Sequence, residues 1–430
     1  MKKFVIKTLG CKTNQVESAL MAEILINNNY IETNDISEAD YYIINSCSVT
    51  HVADKKNLAY IRHAKKENPR IMVVLTGCMA QLEKESLLKN DNIDIVIGNY
   101  EKNDIAKILN SNQKYSVSDI FAHNSFRYKK LYHTKRTRAS VKIQDGCDNR
   151  CSYCTIPYAR GKNRSNSIEN IVEQINIFAK EGYFETVLTG IHIGQWGLDF
   201  ENKKTLKNLL EEIEKSNIKR YRLGSLNPLE LDNDFINFLS NSEKFCPHFH
   251  LSIQALCNKT LKAMNRNYAE KNVIELVENI NSKFKNAFIG SDIIVGFPGE
   301  SEEDFSCTYN NLLNLKISKI HVFPYSRRKG TIADKMPNQT NEEEKKNRVK
   351  KIQYISNMKI EEFLNSNILT ENEVIVEKNR DKKTNLLKGV TRNYINVLID
   401  DEDKYKDTIQ KVLITGFSID NEKLTAKIVT

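Results

Sequence analysis

Nine cysteines are the residues of this 430-residue chain whose type and spacing best suit chemistry. Three of them, Cys147, Cys151 and Cys154, lie in the segment GCDNRCSYC with the spacing C-x3-C-x2-C. A structural zinc site takes four ligands, and the neighbouring residues supply no fourth. Three thiolates and one open position are what an iron–sulfur cube needs if its fourth iron binds a substrate. The segment therefore predicts a 4Fe–4S cluster, with zinc or plain core cysteines as the alternative.

A second set of cysteines is dispersed through the first eighty residues. Cys11, Cys47 and Cys78 each follow a predicted strand, in KTLGC, YIINSC and VVLTGC. The carboxyl ends of parallel strands lie along one edge of a sheet, so these thiols should converge and hold a second three-ligand cluster with an open iron. Taken singly, each would be a small buried thiol. The three remaining cysteines follow no such pattern and are assigned to core or surface: Cys246, Cys257 and Cys307.

The elements around the dispersed cysteines alternate between strand and helix. Strands are predicted at 3–8, 41–45, 71–76 and 93–97, and helices at 14–29, 50–67, 80–89 and 101–110. This alternation predicts an α/β fold with a parallel, doubly wound sheet. The polar stretch 111–138 ends in RYKKLYHTKRTR, with six Lys or Arg and no acid, and is predicted to be an interdomain linker.

A second alternating series follows the linker. Its predicted strands are 139–144, 185–189, 220–224, 249–253, 287–294 and 317–323, and its helices include 166–181, 204–216, 269–283 and 301–314. Six βα units predict a six-stranded partial barrel, three-quarters of the eight-stranded form. The C-x3-C-x2-C loop follows the first of these strands, so it should lie at the carboxyl end of the barrel, where active sites gather. A long charged helix at 341–365 is expected to leave the barrel.

The last part of the chain changes character. Five short apolar runs separated by charged turns predict a small β-barrel of the oligonucleotide-binding kind over 366–430. This module has 11 basic and 11 acidic residues, so an RNA-binding face needs a local cluster. The cluster is either that face or an ordinary solvated hairpin, and it comprises Lys378, Arg380, Lys382, Lys383 and Lys388. The predicted domains are 1–115, 133–362 and 366–430.

Composition sets looser bounds. The chain has 64 Lys and Arg against 55 Asp and Glu, a net charge of +9, which suits either an anionic partner or a Lys-rich solvated surface. No run approaches the about 18 apolar residues that a membrane span needs. The apolar stretch near the start is too short for a signal-peptide core, so the sequence predicts a cytoplasmic protein without a membrane partner.

The clustered cysteines and the loops after later barrel strands resemble the radical S-adenosylmethionine superfamily. Four further segments match it, each after a predicted strand: LTGIHIGQWG (188–197), GSLNPLEL (224–231), LSIQA (251–255) and GSDIIVGFPGE (290–300). The resemblance implies that S-adenosylmethionine chelates the open iron at Cys147, Cys151 and Cys154, and that one electron then cleaves it to a 5′-deoxyadenosyl radical. It also implies the residues that contact this cofactor: Thr189, Gly190, Ser225, Gln254 and Asp292.

Across nearly its whole length the chain resembles the methylthiotransferases, with a terminal module similar to their RNA-binding TRAM domain. The matching segments are TLGCKTNQVES (8–18), INSCSVT (44–50), TGCMAQ (76–81), GCDNRCSYCTIPYARG (146–161) and HVFPYSRRKGT (321–331). GCKTNQ, VKIQDGC (141–147) and TIPYARG are most similar to the branch that modifies N6-threonylcarbamoyladenosine at position 37 of tRNA. The branches that act on isopentenyladenosine or on a ribosomal protein differ at these stretches and stay as alternatives, as does a non-catalytic zinc-bound RNA-binding protein.

The resemblance implies how the chemistry is divided. Sulfur at the cluster of Cys11, Cys47 and Cys78 is methylated by one S-adenosylmethionine, and a second is cleaved at the other cluster to remove the C2 hydrogen of the adenine. The implied cofactors are two 4Fe–4S clusters and S-adenosylmethionine, and the implied partners are tRNA and an electron donor such as flavodoxin or ferredoxin.

Substrate choice should depend on charge. A threonylcarbamoyl group has a carboxylate, whereas an isopentenyl group is apolar, so a pocket for the first needs a cation or a cluster of donors. The candidate cations are Arg160, Arg327 and Arg328, which either meet this carboxylate or contact tRNA phosphates.

Overall fold

The N-terminal part of the chain forms a six-stranded, all-parallel sheet with the order β2-β1-β3-β4-β5-β6. The computed structural model describes residues 1–111, 113–134, 136–418 and 423–429. The strands of this sheet are β1 (Lys3–Thr8), β2 (Ile31–Glu32), β3 (Tyr41–Ser46), β4 (Met72–Gly77), β5 (Ile95–Ile97) and β6 (Tyr115–Ser116). The helices that cover it are α1 (Lys12–Ile26), α2 (His51–Glu67), α3 (Cys78–Glu83) and α4 (Ile105–Leu109).

Successive side chains of β3 pack into two separate cores, one on each face of the sheet. Tyr41 and Ile43 lie in the core that contains α1 and α4 residues, and Tyr42 and Ile44 lie in the core that contains α2 residues. A doubly wound sheet has a core on each face, so these two cores confirm the prediction. The helix predicted at 80–89 is shorter than expected: α3 gives way to a 3-10 turn at Lys84, whose φ is +51°.

Six parallel strands form the predicted partial barrel, as two three-stranded sheets in the order β11-β10-β7 and β12-β13-β14. The two sheets are joined by parallel bridges such as Leu226 with Leu251. A short antiparallel pair, β8 and β9, lies beside the C-x3-C-x2-C loop. The strands are β7 (Ala139–Lys142), β8 (Gln144–Asp145), β9 (Arg164–Ser165), β10 (Glu185–Thr189), β11 (Arg220–Leu223), β12 (His248–Gln254), β13 (Phe288–Val295) and β14 (Lys319–Pro324).

Helices cover the outside of this barrel. They are α5 (Ile156–Arg160), α6 (Ile168–Lys180), α7 (Leu206–Glu214), α8 (Asn233–Ser240), α9 (Asn258–Ala263), α10 (Glu270–Lys283), α11 (Glu302–Asn314) and α12 (Glu342–Asn365). Helix α12 packs on β14 rather than leaving the barrel as expected: the Ser356 hydroxyl donates to the Ile320 carbonyl (2.8 Å) and accepts its N–H (3.0 Å). Ile352 and Ile355 of this helix are buried, together with Lys345 and Arg348, so one face of the helix packs on the barrel despite its many charges.

The C-terminal strands close into the small barrel that was predicted, in the order β15-β16-β17-β19-β18. They are β15 (Glu371–Val376), β16 (Leu387–Thr391), β17 (Asn396–Ile399), β18 (Ile409–Phe417) and β19 (Leu424–Ile428). The turn after β16 closes the amino end of the partial barrel, where Arg220 donates to the Val390 carbonyl (3.0 Å) and the rings of Tyr394 and His248 lie 4.5 Å apart. Among the described residues, none of the helices has the length and apolar character to cross a bilayer.

Candidate active site between the two cysteine sets

The dispersed cysteines come from three neighbouring strand ends. Cys11 follows β1, Cys47 follows β3 and Cys78 begins α3 directly after β4, and these strands are adjacent in the sheet. The buried Asn14 side chain ties two of the loops together, because its amide donates to the carbonyls of Leu9 (2.7 Å) and Ser46 (3.0 Å). The structure therefore gathers these cysteines at one sheet edge, as the sequence predicted from the parallel topology.

Two glycines let these loops approach closely. Gly10 has a φ of +93°, and a Cβ there would lie 2.9 Å from the Cys47 sulfur. Gly77 has a φ of +97°, and a Cβ there would overlap the Ser46 carbonyl. Both positions combine a backbone conformation that favours glycine with no room for a side chain. The glycine before Cys11 and the glycine before Cys78 are thus required by the packing of this cysteine set.

The clustered cysteines lie in a loop at the carboxyl end of β7 and β8. The Cys147 N–H donates to the Gly161 carbonyl (3.0 Å), and the Ser152 N–H donates to the Met264 carbonyl (3.1 Å). These bonds join the loop to the end of α5 and to the end of α9. The loop is thereby held against the barrel wall although it has no regular secondary structure across the cysteines.

Both sets have the donor chemistry of cluster ligands. Burial and the neighbouring Cys78 raise the pKa of Cys47 to about 11, and burial and Cys151 raise the pKa of Cys154 to about 12. In the part of the chain that the structure describes, no three His, Cys, Asp or Glu side chains are grouped closely enough for a single metal ion. Each set supplies three thiols that are not in disulfides, and a bound cation stabilises thiols as thiolates, so the donor chemistry of each set suits a cluster.

A cavity of about 370 Å³ opens at the carboxyl end of the partial barrel. Its wall contains all three clustered cysteines together with Ser225, Gln254 and Asp292. Gln254 has a φ of +68° at a bulge in β12, which turns its backbone away from the regular strand. Three of the five residues predicted to contact S-adenosylmethionine therefore meet the cysteines in one cavity.

The other two predicted cofactor residues, Thr189 and Gly190, are not in this wall, and the next two residues take their place. Ile191 and His192 line the cavity because the buried side-chain amide oxygen of Gln144 accepts both of their N–H groups, at 3.0 and 2.8 Å. Gln144 also donates to the Gly146 carbonyl (2.7 Å), so it fixes this loop to the loop of the clustered cysteines. Gln144 lies in VKIQDGC but has no motif signal of its own, and the sequence did not identify it.

His192 is a second residue of this wall that was not predicted, although it lies in the segment LTGIHIGQWG (188–197). Its Nδ1 lies 3.5 Å from the Cys147 sulfur, and its Nε2 contacts the Glu230 carboxylate. Burial lowers the pKa of His192, but hydrogen bonds to Cys147 and Glu230 outweigh it and raise this pKa to about 9. His192 lies 45 residues from Cys147 in the chain, so only the fold brings the two together.

Arg266 and Tyr153 line the same cavity on the other side of the cysteines. The guanidinium donates to the Tyr153 hydroxyl (2.9 Å) and acts electrostatically on the Cys151 thiol, whose pKa burial raises and Arg266 lowers. Arg266 thus places a positive charge near Cys151, as His192 does near Cys147. Arg266 belongs to no segment that the sequence analysis singled out.

The three arginines proposed from sequence for the substrate carboxylate all have protein partners. Arg160 is fully buried and binds Glu17 of α1, and Arg328 is largely buried and binds Asp54 of α2 (2.6 Å). Arg327 binds Asp334 (2.6 Å). These contacts favour a role for Arg160 and Arg328 in joining the N-terminal sheet to the partial barrel over contact with a substrate.

The Arg328 contact reaches the first cysteine set directly. Besides Asp54, its guanidinium donates to the hydroxyl of Ser48 (2.8 Å), the residue after Cys47. Val49 and Thr50 then line the 370 Å³ cavity together with the clustered cysteines. One loop of the N-terminal sheet thus connects Cys47 to the cavity of the partial barrel.

The basic stretch 127–138 is partly engaged within the protein. Arg127 binds Asp104 (2.7 Å), and Lys130 binds Glu173 (2.5 Å). Arg136 is exposed, and Lys135 lies outside the described residues. In the C-terminal barrel, the predicted basic cluster is also partly paired, through Arg380 with Asp403 (2.7 Å) and Lys388 with Glu377 (2.9 Å).

Comparison with known proteins agrees with this fold. Residues 3–98 match the family described as "Uncharacterized protein family UPF0004", and residues 141–312 match the radical SAM superfamily. The radical S-adenosylmethionine methyltransferase TsrM from Kitasatospora setae superposes with a TM-score of 0.56 at 13% identity, covering 76% of each chain, which is a likeness of fold. A radical SAM domain implies a 4Fe–4S cluster and S-adenosylmethionine.

Two curated relatives extend over nearly the whole chain. "Threonylcarbamoyladenosine tRNA methylthiotransferase MtaB" from Aquifex aeolicus is 38% identical over 92% of this chain and 96% of its own length. "tRNA-2-methylthio-N(6)-dimethylallyladenosine synthase" from Natranaerobius thermophilus is 35% identical over 98% of this chain and 88% of its own. The chain therefore belongs to the radical SAM methylthiotransferase family, whose members are transferases.

Proposed function

We propose that this protein transfers a methylthio group to C2 of N6-threonylcarbamoyladenosine at position 37 of tRNA. The observation that carries the proposal is the shared cavity: Val49 and Thr50, just after Cys47, line the same space as Cys147, Cys151 and Cys154. A methylthio transfer needs a sulfur source and a radical source at one substrate atom. A cavity lined by one cysteine set and by the loop that follows Cys47 of the other set supports this requirement.

Each cysteine set has a separate role in this proposal. Cys11, Cys47 and Cys78 hold the auxiliary 4Fe–4S cluster, and the clustered cysteines hold the cluster that binds S-adenosylmethionine. When bound, these groups supply the sulfur, the methyl group and the radical that substitution at an unreactive adenine C–H requires. Ser225, Gln254 and Asp292 line the cofactor cavity, and Gln144 positions the loop that completes it. An external donor such as flavodoxin or ferredoxin provides electrons.

The three parts of the chain divide the remaining work. Residues 1–115 present the auxiliary cluster, residues 133–362 form the radical barrel, and residues 366–430 are a TRAM-like module that binds tRNA. Arg160 and Arg328 fix the first part to the second through Glu17 and Asp54. Such rigid support suits a reaction in which two clusters act on the same base.

The substrate choice is supported by the relative from Aquifex aeolicus, which is named for threonylcarbamoyladenosine. The relative from Natranaerobius thermophilus is named for the dimethylallyl nucleoside at a similar identity, so isopentenyladenosine is the second candidate. The two nucleosides differ in the charge of the group on N6. An assay that compares RNAs with these two nucleosides therefore distinguishes the two candidate functions.

The test uses reconstituted enzyme and anticodon stem-loop RNAs that differ only at position 37. We expect the methylthio product, detected by nucleoside mass spectrometry, on threonylcarbamoyladenosine and not on isopentenyladenosine or adenosine. Product on isopentenyladenosine instead would support the second candidate function, methylthiolation of that nucleoside. Zinc without iron and sulfide in the purified protein would refute the radical mechanism altogether.

A further inference from the structure

A second cavity, of about 240 Å³, lies near the amino end of the partial barrel. Ser140 of β7 and Val187 of β10 form part of its wall, and Tyr394 of the C-terminal barrel and Lys12 of α1 also line it. Lys12 directly follows Cys11 in the chain, so one residue of this wall is a sequence neighbour of the first cysteine set. Its volume suits a group the size of an amino acid rather than a single ion.

The side chains around this cavity are mostly basic. Lys12, Arg136, Arg138 and Lys378 line it, against one carboxylate, that of Glu377. Glu377 also pairs with Lys388 (2.9 Å). Four cations facing one shared carboxylate leave an excess of positive charge, which an anionic ligand would neutralise.

Lys12 is a half-buried cation of this wall whose ammonium has no hydrogen-bond or ion-pair partner among the described residues. Arg138 has two long ion pairs, with Glu185 (4.0 Å) and Glu377 (3.8 Å), and Lys378 lies over the Tyr183 ring (5.6 Å). Over the described residues, no hydrogen bond or ion pair involves the Lys12 ammonium, although the residue is half-buried. A half-buried ammonium without an anion is costly, so its presence points to a ligand that provides one.

Positive charge also surrounds Tyr394, another residue that lines this cavity. Arg222 lies 4.6 Å and Arg138 lies 5.3 Å from the centre of the Tyr394 ring. Burial raises the pKa of the Tyr394 hydroxyl, but Arg138, Lys12 and Arg222 outweigh it and lower this pKa below its ordinary value. The phenol therefore offers an acidic hydrogen-bond donor in the same cavity wall as Lys12.

We propose that Lys12, with Arg138 and Tyr394, binds the carboxylate of the threonylcarbamoyl group and so selects the substrate. This inference rests on the proposed function, since it identifies how that same site recognises its nucleoside. Lys12 links this cavity to the first cysteine set, because its backbone adjoins Cys11 and its side chain lines the cavity. Backbone phosphates are better matched to the exposed Arg136 at the rim.

Lys12 also takes the role that the sequence gave to three arginines. Those arginines are bound to Glu17, Asp54 and Asp334 and have no comparable surplus of charge. Lys12 is a specificity residue rather than a catalytic one in this assignment, because it meets the substituent and not the reacting carbon.

The test compares binding of three stem-loop RNAs by fluorescence anisotropy with reconstituted protein. They have threonylcarbamoyladenosine, its neutral carboxamide analogue, or unmodified adenosine at position 37. The unmodified protein should prefer the carboxylate to the carboxamide by about 10- to 100-fold, the range of a charge-assisted hydrogen bond. Lys12→Gln should abolish this preference, and Lys12→Arg should restore part of it.

The matched control is Lys56→Gln, which removes an exposed lysine of α2 and should keep the full preference. Arg138→Gln, on a different element, provides a second variant if Lys12→Gln loses iron and sulfide, and it too should reduce the preference. An equal loss of affinity for all three RNAs in Lys12→Gln would identify a phosphate contact and overturn the proposal. No preference for the carboxylate in the unmodified protein would also overturn it.

These outcomes are separate from failure of the proposed function. If the enzyme methylthiolates isopentenyladenosine and not threonylcarbamoyladenosine, the function is wrong whatever the binding data show. If it modifies threonylcarbamoyladenosine while Lys12→Gln retains the preference for carboxylate over carboxamide, the function stands and the Lys12 assignment fails.

Discussion

Replacing Glu17 with Gln tests the buried charge network that joins the two cysteine-bearing parts of the chain. The Glu17 carboxylate accepts hydrogen bonds from Arg160 (3.1 Å to Nη2), from Lys142 (2.6 Å) and from Lys102. Arg160 and Lys102 are almost completely buried. Glutamine keeps the shape of the side chain but removes its charge, so three cations lose their common anion.

The expected cost follows from these contacts. Breaking a buried ion pair by neutralising one partner costs about 3–5 kcal/mol. Asp145 remains close to Lys142 (2.7 Å) and to Arg160 (3.5 Å) and compensates part of the loss, so the lower end applies. At about 2–4 °C for each kcal/mol in domains of this size, about 3 kcal/mol corresponds to a fall of about 6–12 °C in Tm.

Thermal unfolding followed by circular dichroism measures this change. Glu38→Gln is the matched control, because it removes an exposed partner of Lys3 from the same sheet. The control should leave Tm almost unchanged, since exposed ion pairs contribute little. A Tm for Glu17→Gln within error of the control would refute the assignment of a stabilising role to the network.

The stabilisation by the Glu17 carboxylate should also depend on pH, and its pKa gives the direction of the change. Burial raises the pKa of Glu17, but Arg160, Lys102 and Lys142 outweigh it and hold this pKa well below the ordinary 4.5. The carboxylate therefore stabilises the fold above about pH 4.5, and the effect is lost as pH falls through the depressed pKa. In metal-free protein, the Tm difference between unmodified protein and Glu17→Gln should be largest near neutrality and shrink in acid. A difference that grows in acid would contradict the argument.

Two further predictions concern the cysteines and the basic surface. Cys154→Ala should abolish S-adenosylmethionine cleavage, measured as 5′-deoxyadenosine by chromatography. Cys47→Ala should retain this cleavage, because the two cysteine sets lie in separate parts of the fold. The reverse pattern would exchange the roles of the two sets. Replacing Arg136 and Lys378 by Ala should reduce the slope of log affinity for tRNA against log salt by about 1–2, because each phosphate contact contributes about 0.7–0.9. An unchanged slope in a salt titration would make both residues ordinary solvated surface.

Local patterns were enough to predict the architecture. The alternation of strand and helix predicted two domains built on parallel strands. The position of Cys11, Cys47 and Cys78 after strands predicted that these cysteines converge. Parallel strands place their carboxyl ends together whatever the loops contain, so topology follows from the order of elements. The clustered cysteines could be predicted as one site without any knowledge of the fold, because all three lie within eight residues of the chain.

Helix α12 shows where such patterns fail. Its sequence is so charged that it was expected to leave the barrel, yet Ser356 bonds to β14 and Ile352 is buried. Composition reports the average polarity of a helix, whereas packing depends on the few residues that share one face.

The partners of individual charges were decided only by the tertiary structure. Arg160 matched a segment predicted to meet the substrate, but it binds Glu17, which is 143 residues away in the chain. Lys12, which no argument from sequence selected, was left without a partner beside a cavity. A cation pairs with whichever anion the fold brings near it, and contacts between residues distant in the chain leave no periodicity or spacing for a sequence to display.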